Sequence, residues 1–293
     1  MAYTKNPYMP KVRRDAAAMV HRGYTPTEVG RRFGVGSSTI SKWVKKAQQI
    51  GLHPIPTSSS KPKSNPNALS PEVVRQIVTL RLATGRCAEV LHKQLENMGI
   101  IVSLSSVKRT LDRHHLLKKR SPWKRWHHST PRPEAAVPGA LVQIDTIHLM
   151  VTERTRIYVY TLIDVHSRWA YAKAYTTCKA GNTLLFVKEA QRQAPFLFQH
   201  LQTDHGPEFG KWFVHQVQIR HRHSRVRRPN DNAHLERFNR TLQEECLDRL
   251  PRDVRVINRA LKQYLRYYNE ERLHLGINLQ TPLQLLERVQ ALD

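Results

Sequence analysis

The sequence predicts a multidomain chain in which all-α modules come first and a mixed α/β domain follows. Residues up to about 118 show helical spacing of apolar residues and residues that cap helices. From Gly139 onward, short segments rich in β-branched and aromatic residues alternate with helical segments. A length of 293 residues suits about two domains or more, and a hydrophobic content of 40% is enough to bury their cores.

The charge balance points to a polyanionic partner. Lys and Arg number 48 against 23 Asp and Glu, and basic residues bind nucleic acid by releasing counterions from its phosphates. An anionic membrane surface is the alternative partner. The sequence contains no uninterrupted apolar stretch of membrane-spanning length and no signal-like segment at Met1, so we expect a soluble, intracellular protein.

The cysteines and histidines do not form a recognisable metal motif. Cys87, Cys178 and Cys246 are far apart and make no CxxC pair, which argues against a structural zinc site built on cysteine. Reduced, partly buried thiols are the default interpretation. Neighbouring histidines such as His127 and His128 are interpreted as solvated basic surface.

Residues 1–51 are predicted to form a helix-turn-helix DNA-binding domain. Thr25 caps a helix that begins with Pro26, glycines interrupt the pattern, and Ser37 begins a further helix. An ordinary helical hairpin is the alternative. If the last helix enters a major groove, its exposed short donors and cations are the expected DNA contacts. These are Ser38, Thr39, Lys42 and Lys46.

Three segments lie between this first domain and the α/β domain that begins at Gly139. Residues 52–69 are rich in Pro, Ser and Lys and are predicted to be a linker. Residues 70–118 repeat the capping pattern, with Ser70 before Pro71, and are predicted to be a second helix-turn-helix module. Residues 119–138 are a basic linker whose prolines forbid a continuous helix, and the sequence does not decide between phosphate binding and packing between domains.

Residues 139–293 are predicted to form a mixed α/β domain with C-terminal helices. Strands are expected at 140–150, 156–164 and 168–175, followed by a helix at about 180–194 and a strand at 196–203. A short helix, a strand at about 219–224 and a long helix from about Asp231 complete the pattern. This order of a mixed sheet with covered faces is that of the ribonuclease-H-like fold.

Carboxylates occupy positions in this fold that are costly unless they are paired or bind a metal. Asp145 lies in mid-strand, Asp204 ends a strand, and Glu236 flanks the apolar stripe of the long helix. Carboxylates on two neighbouring strands and a packed helix can hold two Mg²⁺ ions, for which Mn²⁺ can substitute. Such a pair activates a nucleophile and stabilises the leaving oxygen of a phosphodiester.

The motifs around these residues resemble the DDE transposases of bacterial insertion sequences, which are related to retroviral integrases. The resemblance is carried by "QIDTI", "LIDVHSRWAYA", "QTDHGPEF", "RPNDNAHLERFNRTLQEE" and "YNEERLHLGINLQTPLQLL". It implies that residues 139–293 are an integrase-like catalytic core with C-terminal helices, and that Asp145, Asp204 and Glu236 are its catalytic triad and metal ligands. It further implies a cytoplasmic bacterial protein that is associated with the nucleoid when it is bound to DNA. It also implies Mg²⁺-dependent cleavage and strand transfer on double-stranded DNA, both element ends and target, by a homo-oligomer.

The match departs from the family pattern at two points. Asp204 and Glu236 are 32 positions apart, a little fewer than is usual, and His205 stands where the family often has Asn. Full activity is therefore an expectation that needs a direct test.

Further residues were weighed against structural roles. Asp164 is interpreted as part of a turn with Arg168, Glu208 as the acidic start of a helix, and Glu244 and Glu245 as solvated. DNA contacts are expected from basic residues before the long helix and from residues that share the face of Glu236, with helix capping as the alternative for Asn232. They are Arg222, Arg225, Arg227, Arg228, Asn232 and Arg240.

Alternative functions from other classes remain open at this point. A DNA-binding regulator whose core has lost catalysis would not need Asp145, Asp204 and Glu236. A structure-selective nuclease of the same fold would not need paired modules that recognise DNA ends.

Overall fold

The computed structural model describes residues 7–51, 53–57, 68–117, 133–225 and 229–291, which form two compact units. No helix within these ranges is long and apolar enough to cross a membrane. Most of the predicted linker and of the basic segment lies outside the described residues, as do Arg227 and Arg228.

The first unit is a three-helix module that ends at Ala68. Its helices are α1 (Met9–His21), α2 (Pro26–Phe33) and α3 (Ser37–Ile50). Thr25 and Glu28 form a reciprocal capping box at the start of α2, as expected from a Thr followed three residues later by Glu. Gly30 lies against the α2–α3 turn so closely that a Cβ there would come within 2.6 Å of the Val35 carbonyl oxygen.

The core of this module contains the residues that helical spacing predicts. Val29 and Ile40 are fully buried together with Ala16, and Phe33 and Trp43 pack against them. Ile55 differs from the prediction, because it is buried although it lies in the segment assigned to the linker. Its N–H donates to the Pro10 carbonyl and its own carbonyl accepts from Arg13 at 3.3 Å, which attaches this part of the chain to α1.

The second unit, Leu69–Asp293, begins with another helical module. It consists of α4 (Pro71–Thr84), α5 (Ala88–Asn97) and α6 (Leu104–Arg113). Ser70 caps α4 and Ser103 caps α6, each accepting a hydrogen bond from the backbone N–H three residues later. Val107 and Leu111 are completely buried, and Leu116 packs against them as the sequence predicts.

The rest of the second unit is a mixed five-stranded sheet with helices on both faces. The strands are β1 (Val142–Met150), β2 (Arg156–Asp164), β3 (Ala170–Tyr175), β4 (His200–Thr203) and β5 (Arg220–His223), in the order β3-β2-β1-β4-β5. β1, β2 and β3 are antiparallel, whereas β4 pairs in parallel with both β1 and β5. This is the ribonuclease-H-like topology that the order of elements predicts.

Helices cover the two faces of the sheet. The helices are α7 (Ala180–Gln193), α8 (Lys211–Gln216), α9 (Ala233–Glu245), α10 (Val254–Glu270) and α11 (Pro282–Gln290). α9 and α10 bury Phe238 and Leu261 against one face, while α7 and α8 bury Phe186 and Phe213 against the other. Because strand residues alternate between faces, Asp145 points to the α9 side together with the core residue Ile147.

β4 is shorter than predicted because the residues before it bond outside the sheet. The Phe198 N–H donates to the Gln191 side chain on α7, and the Gln199 N–H donates to the Gly139 carbonyl. Ladder pairing therefore begins only at His200.

One edge of the sheet is covered by side-chain amides of α10. Asn258 accepts from the Ala174 N–H at 2.8 Å and donates to the Ala174 carbonyl at 3.0 Å. Asn269, three turns further along, forms the same pair of bonds with Ala170, each at 2.9 Å. The two amides thus occupy main-chain groups of β3 that would otherwise face outward.

Candidate active site

Asp145 and Asp204 lie side by side on neighbouring parallel strands. β1 and β4 pair with Val142 opposite Leu201 and Gln143 opposite Gln202. Continuing this register by two residues sets Asp145 opposite Asp204, at the usual inter-strand spacing of about 5 Å. Both side chains leave the sheet on the face that α9 covers, so the two carboxylates share one site.

A third carboxylate, that of Glu208, joins them through a sharp turn after β4. The Gly206 N–H donates to Asp204 Oδ1 at 2.9 Å, and a 3₁₀ turn over Pro207–Phe209 follows. A Cβ on Gly206 would lie 2.6 Å from Glu208 Oε2 and 3.1 Å from Asp204 Oδ1, so a larger residue there would displace these carboxylates. Glu208 is buried with 7% exposure and lies in the first turn of this 3₁₀ helix, so it begins a helix as predicted and also lies beside Asp204.

Buried glutamines fix the start of α9 above the sheet. Gln143 and Gln202 are opposite each other on β1 and β4, and the side-chain amide of each donates to the Asp231 carbonyl. Gln143 also accepts from the Leu235 N–H at 3.2 Å. The helix that carries Glu236 is therefore attached to the same two strands that carry Asp145 and Asp204.

One turn further along α9, Asn239 reaches Asp145. Its Nδ2 donates to Asp145 Oδ2 at 2.9 Å, and the Thr146 N–H donates to Asp145 Oδ1 at 2.8 Å. Glu236 precedes Asn239 by three residues and so lies on the same side of the helix. Its side chain is exposed and makes no hydrogen bond or ion pair with any residue in the described ranges.

The carboxylates influence one another electrostatically. Burial raises the pKa of Asp145, and the charges of Asp204 and Glu208 raise it further, so that it reaches about 6 although the Thr146 N–H lowers it. This is the response of crowded acids that lack a compensating cation.

The donor set fits hard divalent cations. Carboxylate oxygens are the ligands that Mg²⁺ prefers in phosphoryl-transfer sites. Asn239 adds a buried Oδ1 that has no hydrogen-bond partner among the described residues, and an oxygen left in that state is costly. A cation held by Asp145 and Asp204 would offset the repulsion between the carboxylates.

A basic cavity of about 580 Å³ adjoins the anchored end of α9. It is lined by Arg222 and Arg225, both predicted DNA contacts, and by Asp231. Arg222 donates to Gln202 through Nε and Nη2, at 2.9 and 2.6 Å. Arg225 forms a salt bridge with Asp231 at 2.8 Å, and its hydrogen bonds hold the pKa of Asp231 at about 2. These arginines therefore also stabilise the attachment of α9.

The remaining predicted DNA contacts occupy two helices. Asn232 is the residue before α9, yet its side chain does not cap the helix and accepts instead from Gln202 at 2.7 Å. Arg240 is exposed on α9. In the first unit Ser38, Lys42 and Lys46 are exposed on α3, and Thr39 is partly exposed.

The carboxylates set apart from this site have structural partners. Asp164 is completely buried and accepts from the Gly139 N–H and from the N–H and hydroxyl of Ser167. Glu245 is not solvated as predicted, because it is half-buried between Arg86 and Arg272. Glu244 is exposed, in agreement with the prediction.

Comparison with known families matches this architecture. Two models described as integrase core domain match residues 135–229 and 217–282, so that together they span half of the chain. The chain belongs to the DDE transposases of the integrase superfamily. A homeodomain-like model matches residues 10–56, which contain α1, α2 and α3 of this integrase-family chain.

Curated relatives are similar to the chain at low identity. "Putative integrase ORF3" of Spiroplasma virus SpV1-C74 is 26% identical over 171 residues, which are 50% of this chain and 47% of the relative. The transposase for insertion sequence element IS904 of Lactococcus lactis is 25% identical over 224 residues, 69% of this chain and 86% of the relative. The chain thus spans about half of the first relative and most of the second.

Solved retroviral integrases are also similar. A chain of the simian T-cell lymphotropic virus intasome in complex with PP2A regulatory subunit B56 gamma has a TM-score of 0.46 and 20% identity, covering 71% of this chain and 73% of its own. The HTLV-2 integrase catalytic core domain in complex with magnesium has a TM-score of 0.38 and 16% identity, covering 51% and 97%.

Proposed function

We propose that the chain is a transposase that cleaves DNA at the ends of a mobile element and joins the ends to target DNA. The observation that carries this proposal is the position of Asp145 on β1 next to Asp204, which directly follows β4, beneath a helix attached to both strands. In an integrase-core chain, this is the arrangement that phosphodiester chemistry with carboxylate-held cations requires.

Asp145, Asp204 and Glu236 would hold two Mg²⁺ ions, with Mn²⁺ able to replace them. Bound there, the ions would activate the attacking oxygen and stabilise the leaving oxygen of the phosphodiester. In the first step water cleaves the strand and leaves a 3′-hydroxyl, and in the second step that hydroxyl attacks a phosphodiester of the target. Glu236 is exposed on the first turn of α9, so its side chain is free to turn toward the ligands.

Other residues of the chain position these groups. Asn239 holds Asp145 through its 2.9 Å hydrogen bond, and Gln143 and Gln202 hold the start of α9. α3 would contact the element ends, and Arg222, Arg225, Arg227, Arg228 and Arg240 would contact phosphates near the site. Transposases act as assemblies on paired ends, so we propose a homo-oligomer on double-stranded DNA.

Substitution of the triad tests this function. We expect Asp145→Asn, Asp204→Asn and Glu236→Gln each to abolish Mg²⁺-dependent cleavage and joining of DNA that carries the flanking repeats of the element. DNA affinity should stay nearly unchanged, because none of these residues lies on α3. Glu244→Gln, exposed on the same helix, is the matched control and should leave cleavage intact. Joining at the wild-type rate by any of the three variants would remove that residue from the triad.

A further inference from the structure

A cluster of a histidine, a cysteine and a glutamate lies beside the two aspartates. One ligand atom from each of His148, Cys178 and Glu208 lies within 4.8 Å of both of the others. The residues come from three separate parts of the fold: β1, the connection between β3 and α7, and the 3₁₀ turn after β4. Their convergence is therefore a product of the tertiary structure, which explains why the sequence shows no motif for it.

The partners of these side chains arrange them as a binding site rather than as a packed cluster. The Cys178 thiol accepts a hydrogen bond from the Tyr160 hydroxyl at 3.7 Å. Tyr160 is fully buried against Phe186, so its hydroxyl contacts the sulfur from the protein interior. Such a hydrogen bond to a ligand is the support that metal sites use to orient their ligands. His148 is exposed at the open side of the cluster.

The ligand types select a different cation from that of the aspartate pair. A thiolate and an imidazole are ligands for zinc and related transition metals, whereas Mg²⁺ prefers oxygen alone. Around a tetrahedral zinc the ligand atoms are roughly 3.5 Å apart, so a modest rotation of the exposed His148 would close the cluster. With three protein ligands a fourth position stays open to water.

We propose that His148, Cys178 and Glu208 form a binding site for a zinc-class transition-metal ion, next to the site of Asp145 and Asp204. The thiol releases its proton to solvent when the ion binds, and the two anionic ligands then balance the divalent charge. This site shares no ligand with the proposed Mg²⁺ site of Asp145, Asp204 and Glu236, although the charge of Glu208 acts on Asp145.

Cobalt binding tests the proposal with a readout other than catalysis. The full chain, freed of metal with a chelator, is titrated with Co²⁺, which reports a cysteine ligand by an intense near-ultraviolet charge-transfer band. With excess Mg²⁺ present to occupy the carboxylate site, we expect the band to saturate at about one equivalent of Co²⁺ per chain in the wild type, and Zn²⁺ to displace the Co²⁺. Cys178→Ser should abolish the band, and His148→Ala, at an exposed position, should weaken binding by about tenfold or more.

Two control variants show whether a loss of the band is specific to the proposed site. Cys87→Ser removes a thiol that lies at the start of α5 and should keep the band. Asp145→Asn should also keep it, even though the proposed transposase function requires that variant to be inactive, so the two proposals fail separately. The proposal would be overturned if the wild type showed no band, if Cys178→Ser kept the band, or if His148→Ala bound Co²⁺ as tightly as the wild type.

Discussion

Glu245 shows how a single residue joins parts of the second unit. Its carboxylate forms a salt bridge with Arg272 at 3.0 Å and another with Arg86 at 3.2 Å, and it accepts from the Tyr264 hydroxyl at 2.8 Å. Burial raises the pKa of Glu245, but the hydrogen bonds and charges of these partners outweigh burial and hold the pKa below its usual value. Arg86 precedes α5, so Glu245 links the second helical module to α9.

We expect Glu245→Gln to lower the free energy of unfolding by about 2 kcal/mol, because it leaves two partly buried arginines without a counter-charge. Urea unfolding measures the effect. Glu244→Gln changes the neighbouring, exposed residue and should stay within about 0.5 kcal/mol of the wild type. Equal midpoints for the two variants would show that the Glu245 ion pairs do not stabilise the fold.

His274 gives the stability a pH dependence. Burial lowers its pKa to about 3, and the charge of Arg272 contributes in the same direction. The unfolded chain therefore binds more protons than the folded chain between about pH 6.5 and pH 3, and stability falls as the pH falls through that window. His221 adds to the effect, because burial lowers its pKa to about 4.

We expect His274→Gln to reduce the slope of unfolding free energy against pH by up to about 1.4 kcal/mol per pH unit in that window. Urea midpoints measured between pH 4 and 7 give the slope. His215→Gln, at an exposed position on α8, is the control. A slope that did not change in His274→Gln would mean that this residue is not neutral in the folded state.

At the scale of elements, α3 is the helix whose exposed face is expected to read DNA. Lys42 and Lys46 lie one turn apart on it. If each contacts one phosphate, the double substitution to Ala should reduce the magnitude of the log–log salt slope of binding by about 1.8, at about 0.9 for each contact. Filter binding or fluorescence anisotropy at several salt concentrations measures the slope.

Lys11→Ala, an exposed change on α1, is the matched control and should have less effect. If the slope of the double variant equalled that of the wild type, α3 would not be the DNA-contacting helix.

Local sequence patterns predict the helices and strands well where interactions between neighbouring residues determine them. Capping residues such as Ser70 and Thr25 mark helix starts, and runs rich in β-branched and aromatic residues mark β1 and β2. The start of β4 is missed because the Gln199 N–H donates to the carbonyl of Gly139, which is remote in sequence. Secondary-structure propensities do not take such a tertiary contact into account.

The residues of the candidate site also fall into two groups, those that the sequence indicates and those that only the folded structure brings together. Asp145 and Asp204 were predictable because an acid in or at the end of a buried strand is conspicuous in the sequence. Glu208, Asn239 and Cys178 were not, because their significance arises only when β1, α9 and the turn after β4 come together. The nearest sequence signal was the position of Glu208, four residues after Asp204 in "DHGPE".

At the scale of the whole molecule, the described residues divide at Ala68, and the second helical module belongs to the same compact unit as the sheet. We expect a fragment of residues 69–293 to fold and to nick DNA weakly with Mg²⁺ or Mn²⁺ at low salt, without preference for element ends. A shorter fragment from Ala136 lacks Arg86 and should melt at a lower temperature. Thermal unfolding and a nicking assay on matched end and random duplexes measure both.

The full chain provides the reference and should prefer end-bearing DNA. If the fragment of residues 69–293 chose the ends as well as the full chain does, recognition would not depend on the first unit.

The amides of Asn258 and Asn269 have a consequence for how copies of the chain can meet. An exposed edge strand can pair with a strand from another molecule, and such pairing causes aggregation at high local concentration. Transposases concentrate on DNA by function. With Ala170 and Ala174 already bonded to α10, β3 offers no template for such pairing at these positions.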